Sequence, residues 1–553
     1  MHSKFRIMKT NKMIIVAAAL WMMTLTACNS LLDQKPYGSF TEDQMDENSV
    51  EGLLASAYAG LEAYFFISDN NCAFAGPSTN WIFDVRSDDA LKGGGGVGME
   101  GNIHQLEVSN IFSDNVSIKW KWLNNYYALA RVHRAMKTIR NLNVENQNQY
   151  LGELKTLRAF FYFDLVRIFK YLPYITEDDD PSTVDNSTYT QADIYGFIQQ
   201  DLREAYSLMD IDEPAPGRFN KFAAAALMAK VCAFTQEWDS VIVYADYVIT
   251  SNRYQLYPNY LDMNKIDFNN SYESIIAMQC STADDYAHYN RSNLLNITYS
   301  AGNLYGTGDD FFYGSQNLVD AFRTTADGLP FLEDNAPAEH VSATYSGTLD
   351  PRLEFTVGRI GFPFRGYTYT DKWCRTPDVY GEYSNKKCCS DPNDTRVSKD
   401  WPWGGSPLNF CFLRYADLLL LKAEACVEKN ELGMATNLVN EIRLKAQRSI
   451  DADYQPEDIN PELANYNIQP YPEFTSQEYA RKAVRMERRL ELAMEGHRWF
   501  DLVRWGEAVN TMNAYFQSEA QFHNYYSEAN MTEDELFFPT PYEEVLNANG
   551  LYK

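Results

Sequence analysis

Helix-length apolar periodicity recurs in consecutive pairs along this chain, and that pairing constrains the fold more than any other feature. Residues 117–142 and 150–169 form the first pair, with Leu151, Leu154, Leu157, Phe161, Leu165 and Ile168 tracing one face of the second member. Pro173 stands just beyond its end. Residues 191–209 and 221–234 form another pair across the Pro214-Ala215-Pro216-Gly217 break, and Asp239 is placed to cap a further helix over 241–251. Pairing returns at 413–428 and 434–446, and nearer the N-terminus Thr41 or Asp46 would cap a helix running to about residue 66. Two-helix units bury their faces on one another and are the repeating element of a tetratricopeptide-like solenoid. No strict repeat of about 34 residues is visible, so periodicity predicts a mostly α chain of tetratricopeptide-like helix pairs. From 254 to 409 the periodicity fades and Tyr, Gly, Asn and Pro become frequent. Short apolar pieces such as Ile275-Ile276-Ala277-Met278 predict small strands in this irregular, loop-rich region.

The run from Met486 to Trp505 carries the strongest pattern. Leu490, Ala493, Met494, Phe500 and Val503 recur at helical intervals, with Leu502 and Trp499 beside them, and Thr475 or Ser476 is placed to cap the helix. On the charged side Glu487, Glu491 and Glu495 lie four apart, and Arg498, Asp501 and Arg504 follow at steps of three. Such groups pair along a helix, each exposed pair contributing roughly 0.2–0.5 kcal/mol. Gly496 costs about 1 kcal/mol inside a helix, so it marks close packing or a break. His497 lies near carboxylates, but the paired histidines of a metalloprotease helix are absent and no nucleophile is near, so the run reads as a structural network.

Residues 1–28 read as a targeting segment. Lys4, Arg6, Lys9 and Lys12 precede an apolar run over 13–25 that is short for a membrane span. Leu25-Thr26-Ala27-Cys28 looks like a bacterial lipobox, in which cleavage precedes the cysteine and Cys28 is acylated. Acyl chains contribute about 0.8 kcal/mol per buried CH₂, enough to hold a multiply acylated protein on a membrane. The expected organisation is a signal peptide over 1–27, an N-terminal helical region over 28–253 and a C-terminal region over 254–553. The last holds a loop-rich insert at 254–410 and helical pairs at 411–516. A net charge of −27 argues against nucleic acid or an anionic membrane surface as partner and suits neutral ligands or divalent cations. Cys72, Cys232, Cys280, Cys374, Cys388, Cys389, Cys411 and Cys426 are irregularly spaced, lack a zinc pattern, and read as free or loop-local thiols. Gly96-Val97-Gly98-Met99-Glu100-Gly101 matches the dinucleotide fingerprint by accident, because no apolar strand is read before it and no helix pattern at its end. The four glycines at 93–96 read as a mobile loop.

The Met486–Trp505 run closely resembles the Glu-Arg-Arg-x-Glu-Leu-x-x-Glu-Gly-x-Arg-x-x-Asp-Leu-x-Arg-Trp signature of the SusD/RagB family. Further resemblances lie in the run from Gly152 to Arg167, in Asp350-Pro351-Arg352, in Leu413-Arg414-Tyr415-Ala416-Asp417 with Ala423-Glu424-Ala425, in Asn440-Glu441-Ile442-Arg443 and in Phe538-Pro539-Thr540-Pro541. The chain departs from the family where Lys170-Tyr171-Leu172-Pro173 lacks the usual glycine, and in its tail. The resemblance implies a SusD-like α superhelix of four tetratricopeptide-like units with a loop-rich region that carries ligand. It also implies a lipoprotein anchored in the outer membrane and facing the exterior. Such a protein would deliver oligosaccharide or polysaccharide to a SusC-like TonB-dependent transporter. Peptide is the alternative ligand within the family.

Sugars present flat C–H faces and hydroxyl rims, so a capture site needs exposed rings beside polar side chains. Aromatic residues make up 14% of the chain, led by 38 Tyr, and supply them amply. Trp81 with Asn80, Arg86 and Asp88 forms one constellation; Tyr286, His288, Tyr289 and Arg291 form a second; Trp373, Trp401 and Trp403 supply rings on later loops. Loop packing competes for each, since aromatic residues bury more often than they bind, but at least one of Trp81, Tyr289, Trp373 and Trp403 is expected to contact ligand. A glycoside hydrolase would need two carboxylates at a defined separation, and no serine-elbow or zinc motif appears, so no enzyme activity is expected. A purely structural surface protein is the other alternative. No cofactor is expected beyond a structural calcium in the acidic loops at Asp178 to Asp180 or Asp451 and Asp453.

Overall fold

The computed structural model describes residues 45–62, 81–142, 144–210, 215–283, 290, 295–299, 304–306, 308–332, 336–387, 389–399 and 405–553. The chain divides into a unit ending at Gly52 and a unit from Leu53 to Lys553. In the first, Asp46 caps the 3₁₀ turn Glu47–Ser49, its carboxylate accepting the Asn48 N–H at 3.0 Å.

The second unit is built on helices that pack in sequence: α1 (Val116–Asn141), α2 (Gln147–Ile168), α3 (Gln191–Leu208), α4 (Lys221–Phe234) and α5 (Trp238–Thr250). α5 packs on α6 (Tyr415–Glu428), and α6 on α7 (Leu432–Arg448) and α8 (Gln477–Leu492); α9 (Arg498–Arg504) and α10 (Ala508–Glu519) follow. Local chemistry starts these helices. Asn115, Asn220 and Ser476 each accept backbone N–H groups of the first turn, and Thr190 forms a capping box with Asp193. Asp239 is not a cap: α5 starts one residue earlier, at Trp238, leaving Asp239 in its first turn beside the N-terminal dipole. α2 is also not amphipathic. Every residue from Thr156 to Ile168 is buried, because α1, α3 and α4 cover it from several sides. The two halves of the chain meet through side chains of this unit, where the Phe160 and Phe412 rings lie 4.5 Å apart.

Among the described residues the strands form four two-stranded ribbons. β1 (Ala90–Gly93) is antiparallel to β3 (Phe311–Gly314), and β2 (Ser274–Met278), the expected apolar strand, is antiparallel to β7 (Phe410–Arg414). β4 (Thr348–Leu349) runs parallel to β8 (Asn465–Tyr466), and β5 (Pro363–Phe364) turns into β6 (Tyr367–Thr368) through Arg365 and Gly366, both at positive φ. The loop-rich region carries its own apolar cluster, including Ile297, Tyr305, Phe364, Tyr369, Trp373 and Cys389.

The charged side of the Met486–Trp505 run turns inward. α8 ends at Leu492, Met494 and Gly496 take positive φ (62° and 78°), and α9 restarts at Arg498. Gly496 thus marks a break, and its N–H donates to the Asp84 carboxylate at 3.0 Å. Within this run, Asp501–Arg504 (2.8 Å) is paired along the helix. The remaining partners come from distant segments. Arg414 contacts Glu273 and Glu491 at 2.9 Å and Glu495 at 2.8 Å; Lys445 contacts Glu273 and Glu491 at 2.9 and 2.8 Å. Arg352 joins Asp350, Glu487 and Glu491, Arg443 joins Glu487, and Lys387 joins Glu495. Five carboxylates therefore meet five cations, all buried. Burial alone would raise the Glu495 carboxyl, but Arg414 and Lys387 outweigh it and hold it at about 2. A second branch runs Lys230–Asp417–Arg488–Asp501, with His497 Nδ1 at 3.2 Å from Lys230 Nζ. Burial and then Lys230 push the His497 imidazole down to about 3, so it stays neutral. The network ties α4, α6, α7 and α8 to β7 and to the loops bearing Glu273, Arg352 and Lys387.

Candidate functional site

Lys92 organises the glycine run. It is fully buried at the end of β1, and its ammonium donates to the carbonyl oxygens of Gly93 (3.0 Å), Gly96 (2.9 Å) and Met99 (2.6 Å). Three carbonyls can converge on one cation only if the backbone curls tightly, which it does through φ of 74° at Gly93, 75° at Gly94 and 99° at Gly96. A Cβ on Gly93 would lie 2.6 Å from the Asp310 carbonyl oxygen. The loop is therefore tethered, not mobile as the four glycines suggested. A strand does precede it and a helix, Gly101–Glu107, does follow. The fingerprint still fails as a phosphate cradle: β1 pairs antiparallel, and a lysine side chain fills the loop that a pyrophosphate would need.

Against this loop sit two more segments. The Arg375 N–H donates to Asp310 Oδ2 (2.9 Å) and Tyr313 Oη (3.0 Å), and Thr376 Oγ1 donates to the Gly94 carbonyl (2.8 Å). The Arg375 guanidinium pairs with Asp309, and its Cζ lies 5.1 Å from the Tyr299 ring centroid. Gly95 leaves room for it, since a Cβ there would come within 3.3 Å of Arg375 Nε. The Tyr299 N–H donates to the Trp373 carbonyl at 3.0 Å, and the residue is 37% exposed. Below them the Asp310 carboxyl is raised to about 7 by burial. An exposed ring backed by a guanidinium, with a carboxylate and bare glycine backbone alongside, offers one apolar face and a rim of fixed donors and acceptors.

The sequence candidates fall differently. Arg86 is fully buried, its Cζ 4.2 Å from the Trp499 ring centroid and 4.7 Å from that of Phe538, and its Nη2 donates to the Glu535 carbonyl at 2.6 Å. Asp88 is buried between Arg489 (3.2 Å) and Arg498 (2.8 Å). The Trp373 ring packs against Phe364 and Tyr369, 5.4 Å from each, inside the apolar cluster of the loop-rich region, and its carbonyl accepts the Tyr299 N–H. Trp81 opens the 3₁₀ helix Trp81–Arg86. Its side chain, with Cys28, Asn80, Tyr286, His288, Tyr289, Arg291, Trp401 and Trp403, lies outside the described residues. Tyr299, Asp309, Arg375 and Lys92 were not singled out from sequence. Tyr299 belonged to a Tyr- and Asn-rich stretch that signalled it; nothing local signalled Arg375.

Among the described residues, Cys232, Cys374, Cys389, Cys411 and Cys426 are free thiols, the Cys280 N–H donates to Asn409 Oδ1 at 2.9 Å, and Cys72 and Cys388 lie outside the described residues. No three His, Cys, Asp or Glu side chains among the described residues converge as a metal-ion site. In the acidic loop Asp178 pairs with Arg140, while Asp179 and Asp180 accept from Thr176 and Ser182. No helix among the described residues is long and apolar enough to cross a membrane.

A model of a family described as "SusD family" matches residues 272–553, and one described as "Starch-binding associating with outer membrane" matches residues 32–232. SusD-like protein P38 of Formosa agariphila is 24% identical over 534 residues, covering 92% of this chain and 93% of its own. A SusD superfamily protein from Bacteroides vulgatus has a TM-score of 0.70 at 23% identity, covering 92% of this chain and 98% of that one. Surface glycan-binding protein A from Bacteroides thetaiotaomicron, solved in complex with laminarihexaose, has a TM-score of 0.68 at 17% identity, covering 92% of this chain and 99% of that one. These likenesses show a shared, mostly helical fold.

Proposed function

The chain belongs to the SusD family, and on that premise we propose that it captures an oligosaccharide or polysaccharide and delivers it to a TonB-dependent outer-membrane transporter. The observation that carries this reading is the exposed Tyr299 ring held over Arg375 beside the tethered glycine loop. Burial of a pyranose face on such a ring needs no rearrangement, because the guanidinium and the backbone already fix it. The laminarihexaose bound by a protein of the same fold supports the ligand class. Binding is the whole of the activity, with no bond cleaved. In this reading Cys28 is acylated and holds the protein on the outer membrane, facing the exterior.

Isothermal titration of the chain from residue 29 onward, against neutral polysaccharides (laminarin and starch among them) and peptides, tests the reading. Saturable binding of a glycan whose chain length is unchanged afterwards is expected. Binding of peptides alone would overturn the ligand class, and release of shortened sugars would overturn the absence of catalysis. Cys28→Ser should move the protein from the membrane fraction to the soluble one.

A further inference from the structure

The helical body holds a cavity of its own, about 590 Å³, between α2, α3 and the segment that joins them. One wall is aromatic. The Tyr174 and Phe197 rings lie 4.5 Å apart, Tyr189 meets Phe197 edge-on at 5.0 Å, and Tyr162 backs Tyr174 at 4.5 Å. Rings locked by their neighbours lose little freedom when a ligand covers them. Tyr189 nevertheless stays 39% exposed, which helix packing alone does not require.

The rest of the lining is polar and fixed. Arg158, itself buried, grips Asp201 with two bonds (2.6 and 2.7 Å), and Lys155 lies 3.2 Å from Asp201 and 2.7 Å from Glu204. The lining sets two cations, Lys155 and Arg158, against four carboxylates, Asp179, Asp185, Asp201 and Glu204, so the cavity disfavours an anion. Thr176, Thr188 and Gln200 add hydroxyl and amide groups to the lining. Aromatic rings beside a rim rich in hydrogen-bond acceptors match an uncharged ligand with a flat C–H face and an edge of hydroxyls. The volume lies in the range of ligand pockets.

We propose that this cavity is a second saccharide-binding site, for a neutral oligosaccharide segment, separate from the one at Tyr299. The inference rests on the glycan reading above. One long chain engaging both sites would be held more tightly than a short one with no further contact.

Titration of the full chain with neutral hexasaccharides, laminarihexaose and maltohexaose first, reads the number of sites directly. Two bound molecules are expected for the native protein, one for Tyr189→Ala, two again for Tyr189→Phe, and one for Tyr299→Ala. Affinity for the matching polysaccharide should fall roughly tenfold in Tyr189→Ala. Hydrogen exchange should show ligand protection over residues 174–200 that Tyr189→Ala removes. A single site in the native protein that Tyr299→Ala abolishes would overturn the second site and leave glycan capture standing. No site for any glycan would overturn both. A site lost only in Tyr189→Ala would support the cavity and sink the Tyr299 face.

Discussion

Glu478 and Glu491 share one helix and show how environment sets the worth of a charge. Glu478 pairs with Lys482 at 3.3 Å with its side chain 79% exposed, whereas Glu491 is fully buried among Arg352, Arg414 and Lys445. Removing one member of a buried ion network leaves its partners uncompensated, at a cost of about 3–5 kcal/mol. Glu491→Ala should lower the unfolding free energy by about that much in urea titrations, while Glu478→Ala should stay within about 0.5 kcal/mol of the parent. Equal losses would mean that the inward charges are not a network. At the proposed capture face, Tyr299→Ala should remove glycan binding at that face without moving the melting temperature.

Elements hold the site in place through groups that carry no ligand. Lys92 closes the loop after β1 by donating to three carbonyls. Methionine at that position would fill similar space but donate nothing, and each orphaned buried acceptor costs about 1–3 kcal/mol. Lys92→Met should therefore speed hydrogen exchange over 93–99 and weaken glycan binding together. Exchange unchanged there would show that the glycines need no tether. Between α8 and α9 the break at Gly496 is needed for a different reason: its positive φ costs a side-chain-bearing residue about 1–2 kcal/mol. Gly496→Ala should destabilise by about that much and displace the Asp84 contact.

Across the whole molecule, carboxyls pulled in opposite directions shape the response to pH. Glu495 and Asp501 are held at about 2, where buried cations overcome the burial that would raise them, so their stabilisation is present above their ordinary range and is lost as pH falls towards 2. Asp310 and Glu519 are raised to about 7, chiefly by burial, so their contribution is present below the ordinary carboxylate range and is lost as pH rises through 7. Glu519 has Asp320 and Arg489 as charged neighbours, with the His523 imidazole, lowered by burial, 3.8 Å away. The melting temperature should peak on the acid side of neutrality and fall steeply below about pH 4. Glu519→Gln should raise the melting temperature at pH 8 and leave it nearly unchanged at pH 5; an equal effect at both would refute the raised carboxyl.

The sequence by itself determined the paired helices, the strand at Ile275 to Met278, the loop-rich region and the family, because each rests on local periodicity or on contiguous motifs. It also showed that Glu487, Glu491, Glu495, Arg498 and Asp501 form a structural set. Which way that set faces was decided by the tertiary structure alone. A charged stripe looks the same whether it meets water or buried cations from 352, 387, 414 and 445, since those partners are distant in sequence. Arg86, Asp88 and Trp373 were chosen for residue type, and only packing assigned them internal partners. Tyr299 and Arg375 became a pair for the same reason: a ring and a guanidinium 76 positions apart meet only after the β1–β3 ribbon and its glycine loop have closed.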